Sequence, residues 1–227
     1  MSNLYLDIET IPSQDPAVHA LIAEGVTPPG NISKADTIAA WHADKKPALV
    51  EEAIAKTSFD GALGHICCIG WAWDGGLPLS HCIATVKTER DYLADFFDLV
   101  AARIGNNFEP VTIVGHNVIA FDIRFIWQRA IVLGVRVPSW FPRDPKPWSG
   151  EVFDTMTAFA GSRGTIGMDR LSKALGLPGK GDIDGSMVAG MWAAGKYEEI
   201  AAYCRSDIER TREIHRRMMV AYGEEAA

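Results

Sequence analysis

Asp7 and Glu9 sit two residues apart in the stretch LYLDIET, residues 4–10. Around them Leu4, Tyr5, Leu6, Ile8 and Ile11 have the bulk a β-sheet favours, and Pro12 ends the run. Side chains alternate along a strand, so the two carboxylates face one way while Leu6 and Ile8 face the core. Like charges held near a core repel each other and resist desolvation. Two arrangements relieve that cost. One is an exposed edge strand with a solvated acidic face. The other is a cation site, where repulsion becomes coordination.

Two more acids recur in suggestive places. Asp122 closes GHNVIAFD (115–122), in the first turn of a predicted helix that follows the predicted strand 111–117. Open α/β sheets carry their sites at the carboxyl ends of strands. The plain alternative is a carboxylate that complements the helix N-terminus. Asp207 lies in YCRSDIERT (203–211), inside a long predicted helix, and Tyr203 four residues earlier shares its face. Ile200, Tyr203, Ile208 and Ile214 form that helix's candidate core stripe. Asp207 then stands beside the stripe, covered by Arg210 or Thr211 or used in a site.

The ordered set resembles the DEDD exonuclease superfamily, also called DnaQ-like, of the RNase H-like fold. LYLDIET resembles its first motif, GHNVIAFDIRFI its second and YCRSDIERT its third. Tyr203, four residues before Asp207, points to the DEDDy branch; the histidine branch needs His at the position of Ala202. TSFDGALGHICCIGWAW (57–73) and LGLPGKGDIDGSMV (175–188) resemble segments of the predicted exonucleases related to the proofreading domain of family-B DNA polymerases. The resemblance implies an α/β fold with a mixed five-stranded sheet flanked by helices. It implies 3′–5′ phosphodiester hydrolysis with two divalent cations, Mg²⁺ or Mn²⁺. Asp7, Glu9, Asp122 and Asp207 become metal ligands. Asp7 reaches both ions, Glu9 and Asp207 hold the nucleophile-side ion, and Asp122 holds its partner. Tyr203 orients the attacking water, since a phenol with a pKa near 10 is a poor free base. The partner implied is nucleic acid with a free 3′ end, single-stranded DNA being favoured. RNA is the alternative substrate, and an idle nucleic-acid-binding module of the same fold is the alternative class.

The remaining elements must position these residues. With 227 residues, the chain suits one domain, with 13–60 as a helical insertion or cover after the first strand. Helices are predicted near 15–24, 34–43 and 47–56. Residues 64–73 are continuously apolar, as a central strand requires, and 77–86 is the next strand, antiparallel to it, after a Gly75-Gly76 turn. Thr88 is the expected cap of a helix to about 104, with Asp91 completing a capping box and Asn106-Asn107 ending the helix. A helix over 121–134 stops at Gly134. Short helices follow near 154–159 and 168–175, then a pair at 184–194 and 196–222.

Composition narrows the rest. A net charge of −7 argues against a protein that coats nucleic acid nonspecifically. No apolar run is long enough to span a membrane, and the chain starts with neither a basic segment nor a cleavable apolar one, so a cytoplasmic location is expected. Cys67, Cys68, Cys82 and Cys204 form no C-x-x-C pair. They read as buried, reduced cysteines in preference to a zinc site with His65 and His81, with Cys67 and Cys68 on opposite faces of a strand. GLPGK (176–180) lacks the spacing of a phosphate loop. Candidate substrate contacts are Asn117, Trp140, Arg143 and Lys180. Each has a local alternative: a self-bonded turn Asn, a loop 137–150 packed by its own aromatics, and a helix–helix loop. Asp154 reads as a helix cap, Gly115 as a point of close chain approach, and the C-terminal arginines as a solvated helix face.

Overall fold

A computed structural model describes residues 2–105, 110–179 and 181–223. Its centre is a five-stranded mixed sheet. The strands are β1 (Ser2–Ile11), β2 (His65–Trp73), β3 (Leu79–Cys82), β4 (Val111–Gly115) and β5 (Val152–Asp154). Their spatial order is β3-β2-β1-β4-β5. β2 pairs antiparallel with β1 and with β3, while β4 runs parallel to β1 and β5 parallel to β4. The strand carrying Asp7 and Glu9 is therefore the middle one and not an edge, which rules out a solvated acidic edge strand.

The two faces of β1 are covered differently. Leu4, Leu6 and Ile8 pack with Leu93, Phe96 and Phe97 of α4 (Glu89–Ile104) and with Ile123, Phe125 and Ile126 of α5 (Asp122–Leu133). On the other face Tyr5 meets Ile208, and Ile11 meets Ile200 and Cys204, all three partners from α9 (Tyr197–Tyr222). Asp7 and Glu9 alternate with the core residues, so they open onto the α9 side. The helix keeps an apolar stripe at four-residue steps through Ile200, Cys204 and Ile208, each fully buried.

The stretch between β1 and β2 holds α1 (Pro16–Gly25), α2 (Ala35–Asp44) and α3 (Lys46–Lys56), as its helical patterning predicts. Its end is fastened to the body by a buried ion pair. Glu89 accepts from Nε and Nη2 of Arg129, both at 2.8 Å, and from the Ile66 N–H at 2.9 Å. Arg129 Nη1 donates to the Gly61 carbonyl. The expected capping box is not formed: a 3-10 turn over Val86–Thr88, capped by Thr85, runs into α4 and leaves Thr88 with helical backbone, its hydroxyl donating to Thr85 O. Asp91 pairs with Arg90 on the surface.

Three other expectations change. The strand predicted at 77–86 is shorter, Leu79–Cys82. β5 has only three residues, too few for alternation to betray it in sequence. Cys67 and Cys68 pack in the same cluster with Cys82 and Cys204, because the β1–β2 register shifts after Glu9 and skips Cys67, a β-bulge that breaks alternation. All four cysteines are free and buried. The predicted break at Asn106-Asn107 lies outside the described residues.

Candidate active site

The bulge sits beside Glu9, where it can re-aim a side chain. Cys67 Sγ lies 3.3 Å from the Glu9 carbonyl, on the inside of the bend. Two residues earlier, Asp7 stands opposite Gly70 of β2. A Cβ on Gly70 would fall 2.5 Å from Cys204 Sγ. The missing side chain thus lets α9 approach the sheet beside Asp7. Cys204 reaches across and its thiol lies 3.2 Å from Asp7 Oδ2. Among the described residues, Asp7, Glu9 and Cys204 form the group whose ligand atoms all lie within 4.8 Å of one another.

Asp122 arrives from the other side of the sheet. β4 ends at Gly115, and its pairing with β1 stops at Tyr5. The N–H of Ile8 lies beyond that pairing, and Asp122 Oδ1 accepts it at 3.0 Å. The turn between is held by Asp154, which accepts from the N–H groups of Asn117 and Ile119 and also caps α6 (Thr155–Ala160) through Met156 and Thr157. Asn117 takes a left-handed backbone, φ 64°, which Asn tolerates. Gly115 is a close-approach position, as expected: a Cβ there would meet Val118 at 2.5 Å.

Asp207 projects from α9, three residues after Cys204 and on the same helix face. Arg210 Nη2 donates to its Oδ1, and Tyr203 is hydrogen-bonded to its carboxylate. Asp122, Glu9 and Asp207 are all more than nine-tenths buried.

This crowding is felt electrostatically. Burial pushes the Asp7 carboxyl well above the usual carboxylate range, and Cys204, Glu9, Asp207 and Asp122 push it further. Asp122 is pushed up to about 7, first by burial and then by Asp154 and Asp207, against the Ile8 hydrogen bond. Tyr203 is raised by burial and by Asp207, Glu9 and Asp7, so its phenol stays protonated at neutral pH. The four acids named from sequence therefore share one electrostatic neighbourhood. Asp7 and Glu9 are within ligand distance of a common ion, while Asp122 and Asp207 stand around that tighter set. Hard carboxylate oxygens fit Mg²⁺ or Mn²⁺.

Arg210 covers Asp207, as one of its two expected partners, whereas Cys204, in the same YCRSDIERT motif, was not expected beside Asp7. The i, i+3 relation to Asp207, on either side of it, was the available signal. The substrate candidates fare differently. Trp140 packs its ring against Phe97 and Phe141, and Arg143 lies over Trp127. Their loop ends at the start of β4, where Thr112 Oγ1 donates to Gly150 O. Asp144, next to Arg143, pairs with Arg124 of α5. The loop packs on the body through its own aromatics. Lys180 lies outside the described residues. The arginines of α9 are not one solvated face: Arg210 is buried, Arg212 lies over Tyr5, and Arg216 and Arg217 are exposed beside Glu213.

Residues 64–225, more than half of the chain, match the family described as "Predicted 3'-5' exonuclease related to the exonuclease domain of PolB". The chain belongs to that family. No protein of curated function matches it in sequence. Among solved structures it is similar to the family B DNA polymerase of the hyperthermophilic archaeon Pyrobaculum calidifontis, with a TM-score of 0.57 at 17% identity. That alignment covers 98% of this chain and 25% of the polymerase, so the chain spans a quarter of its length. At this identity the match speaks for the fold, and it agrees with the RNase H-like sheet expected from the three motifs. No helix among the described residues is long and apolar enough to cross a membrane.

Proposed function

We propose that this chain is a metal-dependent exonuclease of the DEDDy type, acting as one domain, that removes nucleotides from a 3′ end and releases nucleoside monophosphates. Single-stranded DNA is the favoured substrate, by similarity to polymerase-related exonucleases. The observation that carries the reading is the meeting of Asp7, Glu9, Asp122 and Asp207 beside Tyr203 at the carboxyl ends of β1 and β4. Membership of the exonuclease family supports it.

Asp7, Glu9 and Asp207 would hold one divalent cation, and Asp7 with Asp122 a second. Such ions, when bound, make a nucleophile of water at neutral pH and stabilise charge on the leaving oxygen. The chain's own residues set the rest. The Ile8 N–H fixes the orientation of Asp122. Tyr203, kept protonated, can hold a water by its hydroxyl while its bond to Asp207 limits its movement. A lone phosphodiester has no reason to sit among four carboxylates, so cations are required before substrate can bind.

The test is cleavage of 5′-labelled single-stranded DNA and of RNA with Mg²⁺, Mn²⁺ or EDTA, beside Asp7→Ala. The expected result is a ladder shortening from the 3′ end, present only with metal and reduced at least about a thousandfold in the variant. Binding without cleavage would identify an idle module, and a faster ladder on RNA would move the substrate assignment.

A further inference from the structure

Arg210 is a cation held against one of the acids that the proposed chemistry needs for a metal ion. Its side chain is nine-tenths buried, and Nη2 donates to Asp207 Oδ1. Its Nε and Nη1 are also buried, and among the described residues neither has a hydrogen-bond partner. Unpaired buried donors are costly, and those on a charged group more so. An i, i+3 pair on a helix surface could exist for solubility alone, but a buried guanidinium with one partner needs another reason. The charge around it supplies one. Asp7, Glu9, Asp122 and Asp207 would be mutually repulsive without a counter-cation, and Arg210 touches the one of them that α9 contributes.

We infer that Arg210 is an internal counter-cation of the metal-free site: it holds the Asp207 carboxylate in place and competes with the divalent ion for it. The inference rests on the metal-site reading above. Asp207 Oδ1 is engaged by the guanidinium until an ion takes it. A cleft of about 390 Å³, lined by Arg210 together with Ser206 and Glu209, gives the released side chain room to turn. Arg210 is thus a positioning residue with opposite effects on the two states. It stabilises the metal-free fold and weakens metal affinity. A purely structural arginine would stabilise both states equally, and one that only oriented Asp207 for coordination would strengthen metal binding.

The experiment measures Mn²⁺ binding by electron paramagnetic resonance, and melting in EDTA and in saturating Mn²⁺, for the full chain and for Arg210→Met and Arg210→Gln. Glutamine loses the charge but keeps an amide donor for Asp207, so it carries the test if the methionine variant does not fold. Both variants are expected to bind Mn²⁺ at least about fivefold tighter, as removal of a nearby like charge requires. Both should melt lower in EDTA, with the gap to wild type narrowing in Mn²⁺. In an Asp207→Asn background, Arg210→Gln should no longer tighten binding. Unchanged or weaker Mn²⁺ affinity in the single variants overturns the inference while leaving the metal site standing. A wild-type chain that binds no Mn²⁺ overturns the metal site and this inference with it.

Discussion

The fold opposes ionisation of Asp122, as it does that of Asp7. Burial pushes the Asp122 carboxyl up to about 7, against an ordinary value of 3.8. The folded state therefore favours the protonated acid. Its stabilising effect is complete below about pH 4 and is lost as pH rises through 7, at up to ~1.4 kcal/mol per pH unit. In EDTA, wild-type stability should fall between about pH 4 and pH 7 by more than that of Asp122→Asn, which has no proton to lose. Melting curves of the two proteins across that range check the sign; parallel curves would remove Asp122 from the buried cluster. That the four acids and Tyr203 would come together was legible from the resemblance of three ordered motifs, and the structure does bring them together. The Arg210–Asp207 pair was legible as an i, i+3 option; Cys204 was not, because its place depends on which way a helix face turns and on what lies under it. Trp140 and Arg143 were ambiguous for the converse reason: aromatic and basic residues look alike in a loop whether they stack on bases or, as these do, on Phe97 and Trp127.

At the scale of elements, the site is an encounter between α9 and the bulged middle of the sheet. Gly70 makes the encounter possible, since a Cβ there would fall 2.5 Å from Cys204 Sγ and 3.6 Å from its Cβ. Gly70→Ala should push α9 off β1, costing roughly 1–3 kcal/mol of stability and most of the cleavage rate, because Asp207 and Tyr203 ride on the same helix. Cys204→Ala in the same chain removes the sulfur and should recover much of the stability. Thermal melts of the two variants and the pair test this, and additive losses would contradict the steric account. Long periodic elements were readable from sequence, α9 above all, as were the three helices after β1. The failures were short or non-local. β5 has three residues. The bulge at Cys67 is created by pairing with a distant strand. The Thr88 capping box was displaced by a 3-10 turn that starts earlier, with Thr85 as its cap.

Across the whole molecule, four gathered carboxylates add to a net charge of −7, which bound cations would offset. Metal that binds only the folded chain must stabilise it. At a hundred times its dissociation constant, Mg²⁺ or Mn²⁺ should raise the melting temperature by roughly 5–10 °C for a chain of this size. EDTA should reverse the shift and Asp7→Ala should abolish it. The fold class was legible because strands and helices follow one another in an order that allows few sheets. The substrate was not, because the residues that would read a base or a 2′-hydroxyl carry no motif.

The central claim is that oxygens from β1, α5 and α9 jointly cage divalent ions. Anomalous diffraction from crystals soaked in Mn²⁺ tests it most directly. Two peaks roughly 3.5–4 Å apart, bounded by Asp7, Glu9, Asp122 and Asp207, are the predicted result. Crystals that bind Mn²⁺ only elsewhere, or nowhere, would contradict it.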